Sequence, residues 1–261
     1  MSRNMPDTMF DSAGLLDNYH HPRHFLQLVH LPAVATPRRP FVYVKNHKCA
    51  CTTVLATLMA HLQAQQAGHD THDLDMGTIH TPPKSLLRTG RRGLTTRRAM
   101  RAIADDTNFR FTVVRDPVAR TVSAFADKVA GAERPGRQLM KYLGRPEDGD
   151  ITLSQFLDIV AQDEGARDLD RHWREQRKEI SYDFIPYDYV GDTATLGAAL
   201  GHVTRTVFAQ EPRFQDTRRS LGHKSASHEL LAAMTPTDRA NIEKAYAADF
   251  EMYEDIRKRH A

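Results

Sequence analysis

The sequence has 261 residues, of which 40% are hydrophobic and 26% charged, a composition typical of one soluble globular domain with a substantial core. The formal net charge is only +3, so the overall charge does not require a nucleic-acid partner. Cys49 and Cys51, the only cysteines, are too close for an ordinary structural disulfide, and the amino terminus has no apolar run long enough for a signal peptide or membrane anchor. We therefore expect a soluble, cytoplasmic protein without an integral membrane segment.

The first 38 residues predict an irregular N-terminal arm, followed by a single domain over residues 39–261. The arm is polar and is interrupted by Pro22, Pro32 and Pro37. Its histidines have no cysteine or carboxylate at the spacing of a metal site, so we interpret them as surface residues. The rest of the chain has no internal repeat, low-complexity tract or clear linker, which favours one domain.

A strand, a polar turn and a helix follow one another early in the chain. Phe41–Val44 is an apolar run of the kind found in buried strands, and apolar residues recur at helical spacing after Thr53. This geometry aims backbone N–H groups and the positive end of a helix dipole at an anion. The turn is not a Walker A loop, because no glycine lies between Phe41 and Gly68. An anion grip and an ordinary polar turn therefore both remain open.

Two short elements are predicted next. Met76–Thr81 is interpreted as a second short strand that carries His80 and is closed by two prolines. The end of that strand should face the same cleft as the first turn. Thr95–Ala104 predicts a basic helix with Thr95 or Thr96 as its N-cap.

A second strand–turn–helix unit follows. Phe109–Val114 is a β-branched and aromatic run typical of a central strand, and it ends at Arg115, before an Asp-Pro pair that suits a helix start. The predicted helix has an apolar stripe, with Arg120, Ser123 and Lys128 among its polar positions. Two such units in one sheet place their turns at the same carboxyl edge, where open α/β folds bind ligands.

The remaining chain predicts an insertion and four further elements. We interpret Gly131–Asp150, which is rich in glycine, proline, arginine and acidic residues, as a surface insertion or lid. The other elements are a helix at Ile151–Val160 capped by Thr152, a strand at Tyr182–Val190, a short helix at Thr193–Leu200 and a long helix from Thr235 to about Arg259.

Two motifs carry a family resemblance. HKCACTTV, from His47 to Val54, resembles the 5′-phosphosulfate-binding loop of the carbohydrate sulfotransferases of the chondroitin and HNK-1 type. VVRDPVARTVSAFADK, from Val113 to Lys128, is similar to their 3′-phosphate-binding element nearly position for position. Shorter landmarks follow in the family's order, so the resemblance covers about residues 40–256. It implies an α/β, P-loop-NTPase-like three-layer fold with a central parallel sheet flanked by helices.

The resemblance also implies a reaction and its substrates. Such enzymes move a sulfuryl group from 3′-phosphoadenosine 5′-phosphosulfate (PAPS) to a hydroxyl of a carbohydrate or glycolipid acceptor. The product is 3′-phosphoadenosine 5′-phosphate (PAP), and the chemistry requires no metal. The identity of the acceptor is not encoded in either motif.

Within the first motif, the resemblance assigns the chemistry to one lysine. Lys48, rather than Lys45, is in register with the family lysine that contacts the bridging oxygen or the 5′-phosphate. His47 departs from the family, which usually has proline at that position. The residues implied to cradle the 5′-phosphate with backbone N–H groups and hydroxyls are Cys49, Ala50, Cys51, Thr52 and Thr53.

Within the second motif, Arg115 and Ser123 are implied to bind the 3′-phosphate, a contact that distinguishes this donor from ATP. Further along the chain, Lys224 and Ser225 are expected to close over the phosphates, with a solvated loop as the open alternative.

A general base must take the proton of the acceptor hydroxyl. His80 is the first candidate because of its place at a predicted strand end, and His72 and His172 are the alternatives. Two other functions remain open at this point. One is a P-loop-like nucleotide-dependent kinase, and the other is a non-catalytic module that binds acidic glycans through its arginines.

Overall fold

Five strands form the sheet of the computed structural model, counted over the residues that the structure describes, which are 12–66, 73–131, 133–213 and 227–260. They are β1 (Val29–Pro32), β2 (Phe41–Val44), β3 (Leu87–Arg88), β4 (Phe109–Val114) and β5 (Tyr189–Asp192). Their order across the sheet is β3-β1-β2-β4-β5. The parallel arrangement is confirmed for β2, β4 and β5, whereas β1 runs antiparallel to both neighbours, so the prediction of a parallel sheet is wrong for β1.

Helices cover both faces of this sheet. Those in the described part of the chain are α1 (Ser12–Asp17), α2 (Pro22–Leu28), α3 (Cys51–Gln65), α4 (Met76–His80), α5 (Thr96–Ala104), α6 (Pro117–Ala124), α7 (Arg134–Tyr142), α8 (Leu153–Gln162), α9 (Glu164–Asp168), α10 (Gln176–Glu179), α11 (Leu196–Phe208), α12 (Ser227–Ala233), α13 (Pro236–Ala245) and α14 (Ala247–His260). Short 3₁₀ turns occur at Gly90–Arg92 and Thr193–Thr195, and α6 continues into a π-helical turn at Phe125–Val129. None of these helices is both long and apolar enough to cross a membrane.

Alternate residues of β2 build two separate cores. Val42 and Val44 pack into one hydrophobic cluster with α1, α2, α5 and α14. Phe41 and Tyr43 pack into the other, with α3 and α11 on the opposite face. All residues of β2 and β4 are buried, which is why both strands appear in the sequence as continuous apolar runs instead of alternating patterns. The sheet therefore lies between two layers of helices, as predicted.

The described part of the N-terminal arm, residues 12–38, is not irregular. It contains α1, α2 and β1, and Leu15, Phe25 and Leu28 are fully buried in the first core. Pro22 starts α2 instead of breaking a helix, because the side chain of His21 accepts a hydrogen bond from the backbone and caps it. Pro22 and Pro32 therefore mark the start of α2 and the end of β1.

Two predicted strands are wrong. The segment predicted as Met76–Thr81 is the helix α4, since the Asp75 side chain accepts a hydrogen bond of 2.7 Å from Thr78 N and caps it. The strand predicted at Tyr182–Val190 contributes only its last two residues to β5. The preceding residues form turns whose amides bond to Ser181.

The predicted insertion Gly131–Asp150 contains the helix α7, whose Leu139 and Met140 are buried in a third cluster formed with α6, α8 and α13. Part of the insertion is therefore packed into the fold. The predicted helices at α5 and α8 are confirmed with their caps, and α8 has a complete capping box between Thr152 and Gln155. The long C-terminal helix is divided at Tyr246 into α13 and α14.

Candidate active site

The turn between β2 and α3 ends in a helix that no side chain caps. Lys48 and Ala50 both have left-handed backbone conformations, with φ of 65° and 57°. Such conformations cost non-glycine residues about 1–3 kcal/mol and concentrate at functional sites. They bring the chain into α3 at Cys51, where the N-cap residue Ala50 makes no side-chain hydrogen bond. The positive end of α3 is therefore available to an anion.

The turn after β4 is built differently. The Asp116 carboxylate accepts a hydrogen bond of 2.8 Å from Ala119 N and caps α6, with Pro117 in the first helical position. Asp116 is therefore engaged with its own helix, whereas the Arg115 guanidinium is directed to the other turn. Ser123 lies on α6 and is buried.

The two turns meet at one edge of the sheet, as the sequence predicts. Arg115 Nη1 donates a hydrogen bond of 3.2 Å to the carbonyl oxygen of Lys48. Asn46, in the first turn, donates from Nδ2 to the carbonyl oxygen of Val113 at 3.2 Å. The cationic groups assigned to the two phosphates therefore belong to one connected structure.

Gln176 joins the two turns through its side-chain amide, a role that no local sequence pattern predicts. This side chain is fully buried, and its Oε1 accepts hydrogen bonds from Arg115 N (3.3 Å) and Asn46 Nδ2 (3.2 Å). Its Nε2 donates to the carbonyl oxygen of Arg115 at 2.8 Å. The backbone N–H of Gln176 is itself held by Asp249 Oδ2 at 2.9 Å. One amide thus fixes both turns relative to each other.

Arg120 is a second support of the first turn. The sequence assigned it only to a polar position of α6, but it is 1% exposed. It donates to the carbonyl oxygens of His47 (3.1 Å), Arg174 (2.6 Å) and Arg171 (3.4 Å). A guanidinium can serve three acceptors at once in this way because its five N–H groups are arranged as a rigid fork.

Lys48 has a carboxylate partner. Its Nζ lies 2.9 Å from Asp127 Oδ2, and Lys128 Nζ lies 3.3 Å from the same oxygen. Burial alone would raise the pKa of Asp127, but the hydrogen bond and charge of Lys48, together with Lys128, lower it below its usual value. Asp127 is 39% exposed, so a bound anion could replace it at Lys48 at little cost.

A cavity of about 560 Å³ lies beside the first turn, with Lys45 and His47 in its wall. Its remaining ionisable lining residues in the described part of the chain are His24, His30, His80, His172, Arg91, Arg92, Arg134, Arg171 and Asp170. The cations and histidines of the lining therefore outnumber its single carboxylate, Asp170, by a wide margin. Burial, and then the charges of Arg171 and Arg91, lower the pKa of Lys45. The cavity is therefore strongly electropositive and adjoins the turn that carries Lys48.

A buried carboxylate orients His47. The ring Nδ1 lies 3.0 Å from Glu179 Oε1, and Glu179 is 0% exposed. His24 Nε2 lies 3.3 Å from the same oxygen. Burial would raise the pKa of Glu179, but the hydrogen bonds and charges of His24 and His47 lower it far below its usual value. Burial, followed by the charge of Lys45, lowers the pKa of His47 well below its usual value.

Two of the three histidines predicted as candidate bases, His80 and His172, line this cavity. His172 Nδ1 lies 2.5 Å from Asp170 Oδ1, and its ring contacts that of His47 edge to face at 4.9 Å between centroids. His80, at the end of α4, is exposed. Partial burial and the charges of Lys45 and Lys128 lower its pKa. His72 lies outside the described residues.

The other predicted site residues have simpler surroundings. Cys49 is buried beside Gln176, and burial raises the pKa of its thiol to about 12, so it stays protonated at neutral pH. Cys51, Thr52 and Thr53 form the first turn of α3. Lys224 and Ser225 lie outside the described residues. Within the residues described, no three histidines, cysteines or carboxylates are grouped as a metal site requires.

The comparisons with known proteins identify a family. The model of the sulfotransferase family matches residues 32–254, which include both turns and most of the residues that line the cavity. No curated protein and no solved structure matches the chain.

Proposed function

The chain belongs to the sulfotransferase family, and on that premise we propose that it transfers the sulfuryl group of PAPS to a hydroxyl of an anionic carbohydrate or glycolipid acceptor. The observation that carries the proposal is the hydrogen bond of 3.2 Å between Arg115 and the Lys48 carbonyl oxygen. It joins two strand–turn–helix units that each present cations to an anion, and PAPS has phosphates at two positions.

On this proposal the donor occupies both turns. Lys48 and the uncapped start of α3 bind the 5′-phosphosulfate, as helix N-termini bind phosphates elsewhere. Arg115 and Ser123 bind the 3′-phosphate. The contact of Lys48 with Asp127 supports this assignment, because the carboxylate already occupies the position of a negative charge at the lysine.

The reaction requires stabilisation of charge and removal of a proton. The acceptor oxygen forms a bond to sulfur while the bond between sulfur and the 5′-phosphate oxygen breaks, and negative charge accumulates on that phosphate. Lys48 and the N–H groups of α3 are positioned to stabilise the leaving group. The acceptor proton passes to a histidine; of the sequence candidates His80, His72 and His172, the first and last line the cavity.

The charge of the cavity supports an acceptor that is itself negative. A neutral sugar would leave Lys45, Arg91, Arg92 and Arg171 facing the cavity with Asp170 as its single lining carboxylate among the described residues. A carboxylate, phosphate or sulfate on the acceptor would neutralise them. We therefore propose a uronate-bearing, phosphorylated or already sulfated sugar as the acceptor class.

The same electropositive cavity also favours a second candidate, a non-catalytic module that binds acidic glycans. It predicts glycan binding that falls steeply with salt and is insensitive to Lys48→Ala. A sulfotransferase instead loses transfer in that variant. If Lys45→Ala abolishes transfer and Lys48→Ala does not, the assignment of the catalytic lysine is wrong.

A thermal-shift titration tests the proposed donor. At about 100 times its Kd a ligand stabilises a protein by about 2.7 kcal/mol, which for this size raises Tm by about 5–10 °C. We expect such a shift with PAP but not with Mg-ATP, and its loss in Arg115→Ala. Arg177→Ala, which removes a partly exposed arginine paired with Asp183, is the matched control. The absence of a shift with PAP refutes the proposal.

A further inference from the structure

His47 has the environment of a catalytic histidine, although the sequence did not select it. It precedes Lys48 directly, its ring lies in the cavity wall, and its Nδ1 is bonded to Glu179. Its backbone is held as well, because its carbonyl oxygen accepts a hydrogen bond of 3.1 Å from Arg120 Nε. Both the ring and the peptide of His47 are therefore fixed in position.

The hydrogen bond to Glu179 determines which ring nitrogen can accept a proton. An ionised carboxylate only accepts hydrogen bonds, so the proton of a neutral imidazole stays on Nδ1. The lone pair is then on Nε2, the nitrogen that Glu179 does not use. Carboxylates orient catalytic histidines in this way in other enzymes, where they also stabilise the imidazolium that forms.

Glu179 is itself held in place and kept ionised. His24 Nε2 lies 3.3 Å from its Oε1, and Arg174 Nη1 lies 3.5 Å from its Oε2. The fully buried carboxylate is therefore held beside His47 by His24 and Arg174.

We propose that His47 is the general base of the sulfuryl transfer and that Glu179 is its positioning residue, an inference that rests on the proposed function. His47 Nε2 takes the proton of the acceptor hydroxyl as the oxygen forms its bond to sulfur. The bond between sulfur and the 5′-phosphate oxygen breaks, and its electron pair remains on that oxygen of PAP. The imidazolium faces the Glu179 carboxylate and then releases its proton to solvent.

The other two histidines are less suited to this role. No carboxylate among the described residues bonds the ring of His80, which is exposed. His172 has Asp170 as its partner, and its ring lies 4.9 Å from that of His47, so the variants below distinguish the two. Unlike His47, it is not in the loop that carries Lys48, the residue that contacts the donor in the proposed function.

The protonation state of His47 also fits a base. The charged or titratable groups that act on its ring are Lys45, Glu179 and His172, while His24 and Arg174 act on Glu179 behind it. Burial and Lys45 oppose a second proton on the ring, and Glu179 favours it. The first two effects dominate, so the ring is neutral at pH 7 and can accept a proton.

Nitrogen-15 NMR of histidine-labelled protein tests the orientation without any acceptor. We expect His47 to be neutral at about pH 7 with its proton on Nδ1, and Glu179→Gln to abolish that tautomer preference because an amide can also donate. A proton on Nε2, or an imidazolium at this pH, would overturn the proposal. This measurement remains decisive even if wild-type protein fails to bind PAP.

Transfer of ³⁵S from PAPS to a panel of glucosides and glucuronides tests the catalytic role. His47→Ala should bind PAP within about threefold of wild type but transfer at least about 100-fold more slowly, the usual contribution of a general base. Added imidazole should restore part of this rate. His202→Ala, which changes an exposed histidine in a separate cavity with Arg38 and Arg39, should transfer at the wild-type rate.

Glu179→Gln should lower kcat with PAP affinity retained, and it should move the acidic limb of the kcat–pH profile to lower pH because the imidazolium loses its carboxylate. A His47→Ala rate within about threefold of wild type would overturn the assignment of the base. So would a large loss with imidazole rescue in His172→Ala alone. Failure of wild-type protein to bind PAP would instead overturn the proposed function.

Discussion

Replacing Gln176 with leucine tests whether one buried amide holds the two turns in register. Gln176→Leu keeps the volume but removes the partners of Arg115 N and Arg115 O, while Asn46 Nδ2 keeps its bond to the Val113 carbonyl. Each buried polar group left without a partner costs about 1–3 kcal/mol. We expect a loss of about 2–6 kcal/mol in the free energy of unfolding, or about 4–24 °C in Tm.

Urea unfolding measures the stability, and isothermal titration with PAP measures the function. The Arg115 side chain shifts when its backbone loses the two hydrogen bonds to Gln176. PAP affinity should therefore fall by at least about tenfold. Gln162→Leu makes the same chemical change at an exposed site, where the amide bonds only to Asp158, and should stay within about 0.5 kcal/mol of wild type. If Gln176→Leu loses less than about 1 kcal/mol and binds PAP within twofold of wild type, the two turns are held by other contacts.

Two further predictions concern charge. Asp127→Asn should raise PAP affinity by about 1.4–5-fold at low salt, since the partly exposed pair with Lys48 is worth about 0.2–1 kcal/mol. A weaker affinity in isothermal titration would show that Asp127 orders the lysine instead. His30 has its pKa lowered to about 3, mainly by burial and then by Lys45, so the folded state resists a proton that the unfolded chain accepts near pH 6.5. The free energy of unfolding should therefore fall as pH drops below about 6.5, by up to about 1.4 kcal/mol per pH unit. Urea unfolding between about pH 6 and 4 should show a shallower dependence of this free energy on pH in His30→Gln. An unchanged dependence would show that His30 does not titrate in this way.

The parts of the site that the sequence could predict depend on local signals. A buried strand, the polar turn after it and the following helix occupy about twenty consecutive residues, so their hydrophobic pattern is visible in the sequence. Both such units were predicted for that reason. Local signals failed where the segment was short. The five residues of α4 are too few to show a period, and the helix forms because Asp75 caps it.

The supports of the site could not be predicted because they act across long distances in the sequence. Gln176 is 61 residues from Arg115, and Glu179 is 132 residues from His47. Their segment has mixed polar composition without periodicity, which is equally typical of a solvated loop. Only the packing of that segment under the sheet edge distinguishes a buried hydrogen-bond partner from a surface residue.

The peptide between His47 and Lys48 connects the two halves of the proposed reaction. The left-handed backbone of Lys48 lets consecutive side chains face different surroundings, with Lys48 at Asp127 and His47 at Glu179 and the cavity. Two arginines fix the two carbonyl oxygens, Arg120 that of His47 at 3.1 Å and Arg115 that of Lys48 at 3.2 Å. The arginine assigned to the 3′-phosphate therefore also positions the loop that receives the 5′-phosphosulfate. In the proposed reaction, binding of the donor at Arg115 is therefore coupled to the position of the loop that carries His47.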